Sequence, residues 1–188
     1  MVTLVDLWLP ILLSAVFVFV ASSVIHMAIP IHKGDFVKLP GEDKVLEALR
    51  AQNVQPGSYM FPSAGSMKEC SSPEMVAKMK FGPVGNMNVL PSGPMNIGKN
   101  LAQWFVFCLV ISVFVAHIGV VSLDRGQDFK PVFHLAAITA FLGYGFTNVT
   151  DSIWKGVRWS ITAKFLFDGL VYALVTAAAF AWLWPELG

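Results

Sequence analysis

The sequence predicts an all-α integral membrane protein: a four-transmembrane-helix bundle with a small α+β cytoplasmic cap between spans one and two. Three observations carry this expectation. Residues 7–31, 101–123, 132–150 and 161–184 are apolar runs whose only acidic, basic or imidazole side chains are His26, His117, His134, Lys164 and Asp168. Each run is close to the ~20 residues a helix needs to cross about 30 Å of hydrocarbon, where the backbone must satisfy its own hydrogen bonds. Lysine and arginine are distributed unevenly between the two sides that these runs define. The long connection, residues 32–100, is polar and punctuated by Pro and Gly without being low in complexity.

Composition agrees. The chain has 188 residues with 55% hydrophobic content and a mean hydropathy of +0.63, too apolar for a soluble domain of this size. A formal charge of +1 argues against nucleic acid as a partner. Cys70 in the polar loop and Cys108 within span two are too differently placed to pair, so two free thiols are expected. Span one lacks a preceding basic region and is longer than a signal-peptide core, so it is read as retained.

Span one runs from residue 7 to 31, with Pro10 in its first turn, where a missing N–H costs little, and Pro30 at its end. Lys33, Lys38, Lys44, Arg50, Lys68, Lys78, Lys80 and Lys99 fall in the first loop, and Lys155, Arg158 and Lys164 lie on the same side. Only Arg125 and Lys130 lie opposite. The positive-inside rule therefore places loop 32–100 in the cytoplasm and both termini outside a bacterial inner membrane, in a multi-pass arrangement. Trp8, Trp182 and Trp184 would form an outer indole belt, and Trp104, Trp154 and Trp159 an inner one.

Within the loop, Gly41 and the acids after it open a short helix through about Ala51, with Arg50 suiting its C-terminal end. The segment Ser71-Ser72-Pro73-Glu74 reads as a capping box for a second helix ending near Lys80. Residues 58–61 and 84–90 read as strands. In span four, Gly169, Ala173, Ala177 and Ala181 recur at i, i+4, a face that lets a neighbouring backbone approach closely. Cys108, Ser112, Ala116 and Gly119 make a related stripe in span two, as do Ala136, Ala140, Gly143 and Thr147 in span three.

Chemistry is expected in the cytoplasmic half of the bundle. His26, Gln103, Asn148, Lys164, Asp168 and Tyr172 form a candidate intramembrane polar cluster, and ionisable groups at such depth are costly enough to need partners or a use. An Asp168–Lys164 pair at i, i+4 is the simplest structural tie. His117 and His134 sit at similar depth on adjacent spans, as haem ligands would. Met75 and Met79, with Cys70 nearby, offer soft donors for copper. No catalytic motif is present, and no resident cofactor is expected: interfacial histidines and gap-filling methionines explain these residues as well.

The segments Pro56-Gly57-Ser58-Tyr59-Met60-Phe61-Pro62, Ser72-Pro73-Glu74-Met75, Gly82-Pro83-Val84-Gly85 and Leu90-Pro91-Ser92-Gly93-Pro94 resemble those of an uncharacterised family of bacterial four-span inner-membrane proteins. That resemblance implies the architecture and no activity. The leading functional expectation is a non-enzymatic accessory or scaffold subunit, partnered by the lipid bilayer and by another protein or further copies of itself. The alternatives are a small transporter or ligand-binding protein built on the cluster around Asp168, and a haem or copper protein.

Overall fold

The computed structural model describes residues 1–187 and is mostly helical, with four helices long and apolar enough to cross a membrane. It divides into two units, Met1–Asp35 together with the chain from Asn96 onward, and Phe36–Met95. The first unit holds the four long helices: α1 (Trp8–Met27), α5 (Ile97–Ser122), α6 (Phe129–Tyr144) with its continuation α7 (Val149–Lys155), and α8 (Trp159–Trp182). The second holds α2 (Glu42–Ala51), α3 (Met67–Cys70), α4 (Pro73–Phe81) and the strands β1 (Gly57–Phe61) and β2 (Gly85–Val89).

In the four-helix unit α1 packs against α5 and α8, and α6 packs against the same two helices. The helices thus form a ring. Small side chains line its inside: Ala173 and Ala177 of α8, Cys108, Ser112 and Ala116 of α5, and Ala136 and Ala140 of α6 are buried. Ser14 Oγ of α1 donates to Ser112 Oγ across 2.8 Å in this interior, so neither hydroxyl is stranded. Half of the apolar stretch of α8 is buried, against about a third or less of the other three. The outward faces stay apolar, with Phe17, Val20 and Val24 on α1, Val110 and Phe114 on α5, and Leu170 and Leu174 on α8 exposed. Apolar surface of that extent calls for a non-aqueous neighbour.

The third apolar run is not one regular helix. It breaks after Tyr144 into a 3-10 turn, Phe146–Asn148, before α7 resumes the path. Asn148 Nδ2 donates to the carbonyls of Tyr144 (3.2 Å) and Gly145 (3.1 Å), supplying partners for backbone groups at the break. A Cβ on Gly169 of α8 would overlap the Gly145 backbone, so the glycine that heads the small-residue face of α8 marks where that helix comes closest to the break. Thr147, grouped by the sequence with the small face of span three, lies in this turn and is exposed rather than packed against a neighbouring helix.

Two of the expected belt tryptophans turn inward. Trp104 Nε1 donates to Ser22 Oγ at 2.9 Å, and Trp184, 7% exposed, donates to the Asp124 carbonyl at 2.9 Å. An indole beside a small residue and a free acceptor can bury its ring and satisfy its N–H at once. Trp8, Trp154, Trp159 and Trp182 remain exposed.

In the Phe36–Met95 unit the strands pair antiparallel, with Tyr59 opposite Met87. Helix α2 starts from Gly41 in the left-handed conformation, φ 64°, and carries Glu42 and Asp43 in its first turn. The cap of α4 is Ser72 rather than Ser71: Ser72 Oγ accepts from Met75 N–H at 3.2 Å. Pro73 then takes the first helical position, and Glu74 cannot close a box. It faces Lys78 one turn on, at 3.3 Å.

The close approach at Gly169 gives a stability prediction. Gly169→Ala should cost about 1–3 kcal/mol in detergent, as overpacking does in a filled interior. Gly98→Ala, whose Cβ would meet nothing nearer than Asn96 Oδ1 at 3.6 Å, should be neutral or stabilising by up to about 1 kcal/mol. Thermal unfolding of both variants in one detergent checks the pair. Equal midpoints would show that the α6–α8 approach relaxes freely.

Candidate functional site

The site lies at the end of the four-helix unit where α1 finishes and α8 begins. Ile29 is extended, as a residue before proline tends to be, and Pro30–His32 then forms a 3-10 turn. Further tight turns follow, with Gly34 N–H and Asp35 N–H both donating to the His32 carbonyl at 2.8 and 3.1 Å. The chain therefore doubles back over the start of α8. Arg158, immediately before that helix, fixes the returning segment by donating to the carbonyls of Gly34 (3.0 Å) and Asp35 (3.3 Å).

This fold-back sets two carboxylates and two imidazoles in series. Lys164 Nζ donates to Asp35 Oδ1 at 2.5 Å. Asp35 Oδ2 lies 2.6 Å from His32 Nδ1, and His32 Nε2 lies 2.9 Å from Asp168 Oδ2. His26 Nε2 approaches the same Asp168 oxygen at 3.6 Å. The two imidazoles stack with centroids 4.5 Å apart, and Phe165 packs 5.2 Å from His32. Asp168 is 2% exposed, and its second oxygen, Oδ1, has no hydrogen-bond partner. The hydrogen bond from Lys164 holds the Asp35 carboxyl below its usual range against the opposing effect of burial, with His32 adding in the same direction.

The expected Asp168–Lys164 tie is therefore replaced. Lys164 reaches outward to Asp35, and Asp168 faces the histidines. Helical spacing brings residues 164 and 168 to one face, yet the fold-back places better-aligned partners beside each. His32 and Asp35 were not among the residues the sequence singled out. Their signal was a histidine and an aspartate three apart, directly after a helix-ending proline and one turn and a half past His26.

Beside Asp168 opens a cavity of about 470 Å³ between the helices. Its wall is mainly apolar and aromatic, with Trp104 and Phe107 from α5, Tyr144 at the α6 break and Phe165 from α8. Polar side chains on it include Ser22, His26, Thr147, Asn148, Asp168 and Tyr172. The Tyr172 ring meets Trp104 at 5.9 Å and Tyr144 at 5.7 Å, both edge-on, and its hydroxyl is buried without a hydrogen-bond partner.

Of the predicted cluster, His26, Asn148, Asp168 and Tyr172 line this cavity, and Lys164 joins them through Asp35. Gln103 does not: it is exposed on α5 and turned away, while Trp104 beside it faces in. His117 and His134 are exposed on their helices. Met75 is buried, Met79 exposed and Cys70 half-buried in the Phe36–Met95 unit. Among the described residues, the three donor groups close enough to share one ion are His26, His32 and Asp168, whose ligand atoms all lie within 4.8 Å of one another.

The series makes a double-mutant prediction. Asp35→Asn and Lys164→Gln should each destabilise the protein, while the double variant recovers about 1–3 kcal/mol relative to their sum, because removing both partners strands no charge. The Asp168→Asn and Lys164→Gln cycle should couple more weakly than the first, because those two side chains act on each other only through Asp35 and His32. Strong coupling in the second cycle would return the tie to Asp168. No protein-family model, characterised protein or solved structure matches this chain, and its function is accordingly read from this geometry.

Proposed function

We propose that this chain is a multi-pass integral membrane protein that binds a small amphipathic molecule in the cavity beside Asp168. One observation carries the reading: a pocket of about 470 Å³ with aromatic walls and a buried carboxylate oxygen that has no partner. Pockets of about 300–1,000 Å³, mostly apolar with a few convergent polar groups, are the usual form of small-molecule sites. The apolar part of the ligand lies along Trp104, Phe107 and Tyr144. Its polar end, a hydrogen-bond donor or a cation, meets Asp168 and Tyr172. The cavity favours this over an accessory-subunit role, whose support is an ordered loop together with the absence of catalytic motifs.

Solvent extraction of the purified protein, followed by mass spectrometry, tests it. The wild type should release a small molecule in near-stoichiometric amount. Leu101→Trp, which places an indole on the cavity lining, should release at least about tenfold less, the equivalent of ~1.4 kcal/mol. Equal release from both, or none from the wild type, would count against the proposal.

The proposal includes an orientation in a bacterial inner membrane, with the Phe36–Met95 unit cytoplasmic and both termini outside. Its support is the excess of Lys and Arg on one side. Cys70 is partly exposed and Cys108 buried. A membrane-impermeant thiol reagent should therefore label Cys70 in inverted vesicles and not in intact cells; labelling from outside would reverse the assignment.

A further inference from the structure

We infer that His26, His32 and Asp168 form a three-ligand site for a divalent transition-metal ion such as Zn²⁺ or Fe²⁺, with its open coordination position facing the cavity. This goes beyond the ligand-binding reading and stands whether or not the cavity takes an organic molecule.

The donor set comes first. Two imidazoles and one carboxylate suit borderline first-row divalent ions, and three protein ligands leave a position for water or a ligand. The donors come from three separate pieces of backbone: the last turn of α1, the 3-10 turn after it, and α8. Both histidine Nε2 atoms converge on one oxygen, Asp168 Oδ2, at 2.9 and 3.6 Å. Donors held ~2.0–2.2 Å from a common ion stand about 3–3.6 Å apart, so small movements bring this set to bonding distance.

The second argument is the outer partner of His32. The His32 Nδ1 lies 2.6 Å from Asp35 Oδ2, which leaves Nε2 as the ring nitrogen turned to the site. That nitrogen lies 2.9 Å from Asp168 Oδ2, a separation close to that of two ligands on one ion. The Asp35 carboxylate also fixes the tautomer and ring orientation of His32, as the outer partner of a metal-bound histidine does. Lys164 holds Asp35 in turn and balances its charge.

The remaining charge points the same way. With Lys164 spent on Asp35, the nearest basic side chains to Asp168 are the two histidines. Asp168 is 2% exposed, and its Oδ1 is buried with no hydrogen-bond partner while the residue lines the cavity. A buried carboxylate lacking a full counter-charge is costly, and a divalent ion supplies one.

Co²⁺ titration of the chelator-stripped, full-length protein in detergent tests the site, because cobalt bound by nitrogen and oxygen ligands absorbs visible light. The wild type should take up one equivalent at this site, displaceable by Zn²⁺. His26→Gln should weaken binding at least about 100-fold, and because that side chain is 42% exposed the variant should fold. Asp35→Asn should weaken it roughly 10–100-fold, the range for an outer partner. Leu101→Trp should bind Co²⁺ like the wild type even where it loses the co-purifying organic molecule, which separates this site from the ligand proposal. Unchanged Co²⁺ binding in His26→Gln, or no visible band in the wild type, would overturn the metal site and leave His32 as a hydrogen-bonded bridge between two carboxylates.

Discussion

A carboxylate buried among apolar helices must be met by donors or cations, and at this end of the unit much of the local structure serves that need. Asp168 lies on the most enclosed helix, α8, at 2% exposure. Meeting it takes His26 from the end of α1 and His32 from a segment that has to reverse direction to arrive. That reversal is made by the extended Ile29, the Pro30 turn and the stacked carbonyl acceptance at His32, then secured by Arg158 and Lys164 from the start of α8. Asp35 is what links the outer cation to the inner imidazole. A change at Asp35, His32 or Asp168 is felt along the series, because these three are largely withdrawn from water and serve one another.

The cavity follows from a second constraint, close backbone approach. Gly169 lets α8 press onto Gly145, and the helix opposite gives way there into a 3-10 turn whose loose carbonyls are taken up by Asn148. Irregular backbone between packed apolar helices is tolerable where side chains satisfy it or where it borders a cavity, and this break does both. Trp104, held by Ser22, and the edge-on pair Tyr144 and Tyr172 then wall the space. Polar and apolar side chains therefore meet at a single place, where α1, α5, the α6 break and α8 converge.

Sequence by itself determined that this chain is mostly helical, with four helices long and apolar enough to cross a membrane. The four runs, their lengths and the small-residue faces of α5 and α8 follow from local composition and the 3.6-residue period, and so do α2, α4 and both strands, whose capping and turn residues act within a few positions. Asp168, His26, Asn148 and Tyr172 were legible as a polar group at one depth for the same reason. Tertiary structure alone decided who pairs with whom. Spacing of four residues suggested Lys164 for Asp168, but a partner pair is chosen by distance in space, and the turn at residues 30–35 inserted His32 and Asp35 between them. Nor could periodicity separate Gln103 from Trp104, or Trp184 from Trp182, since which side of a uniformly apolar helix faces its neighbours depends on the neighbours. The same holds for the break after Tyr144: the residues for it are present in the chain, but its position is set by where α8 comes to rest.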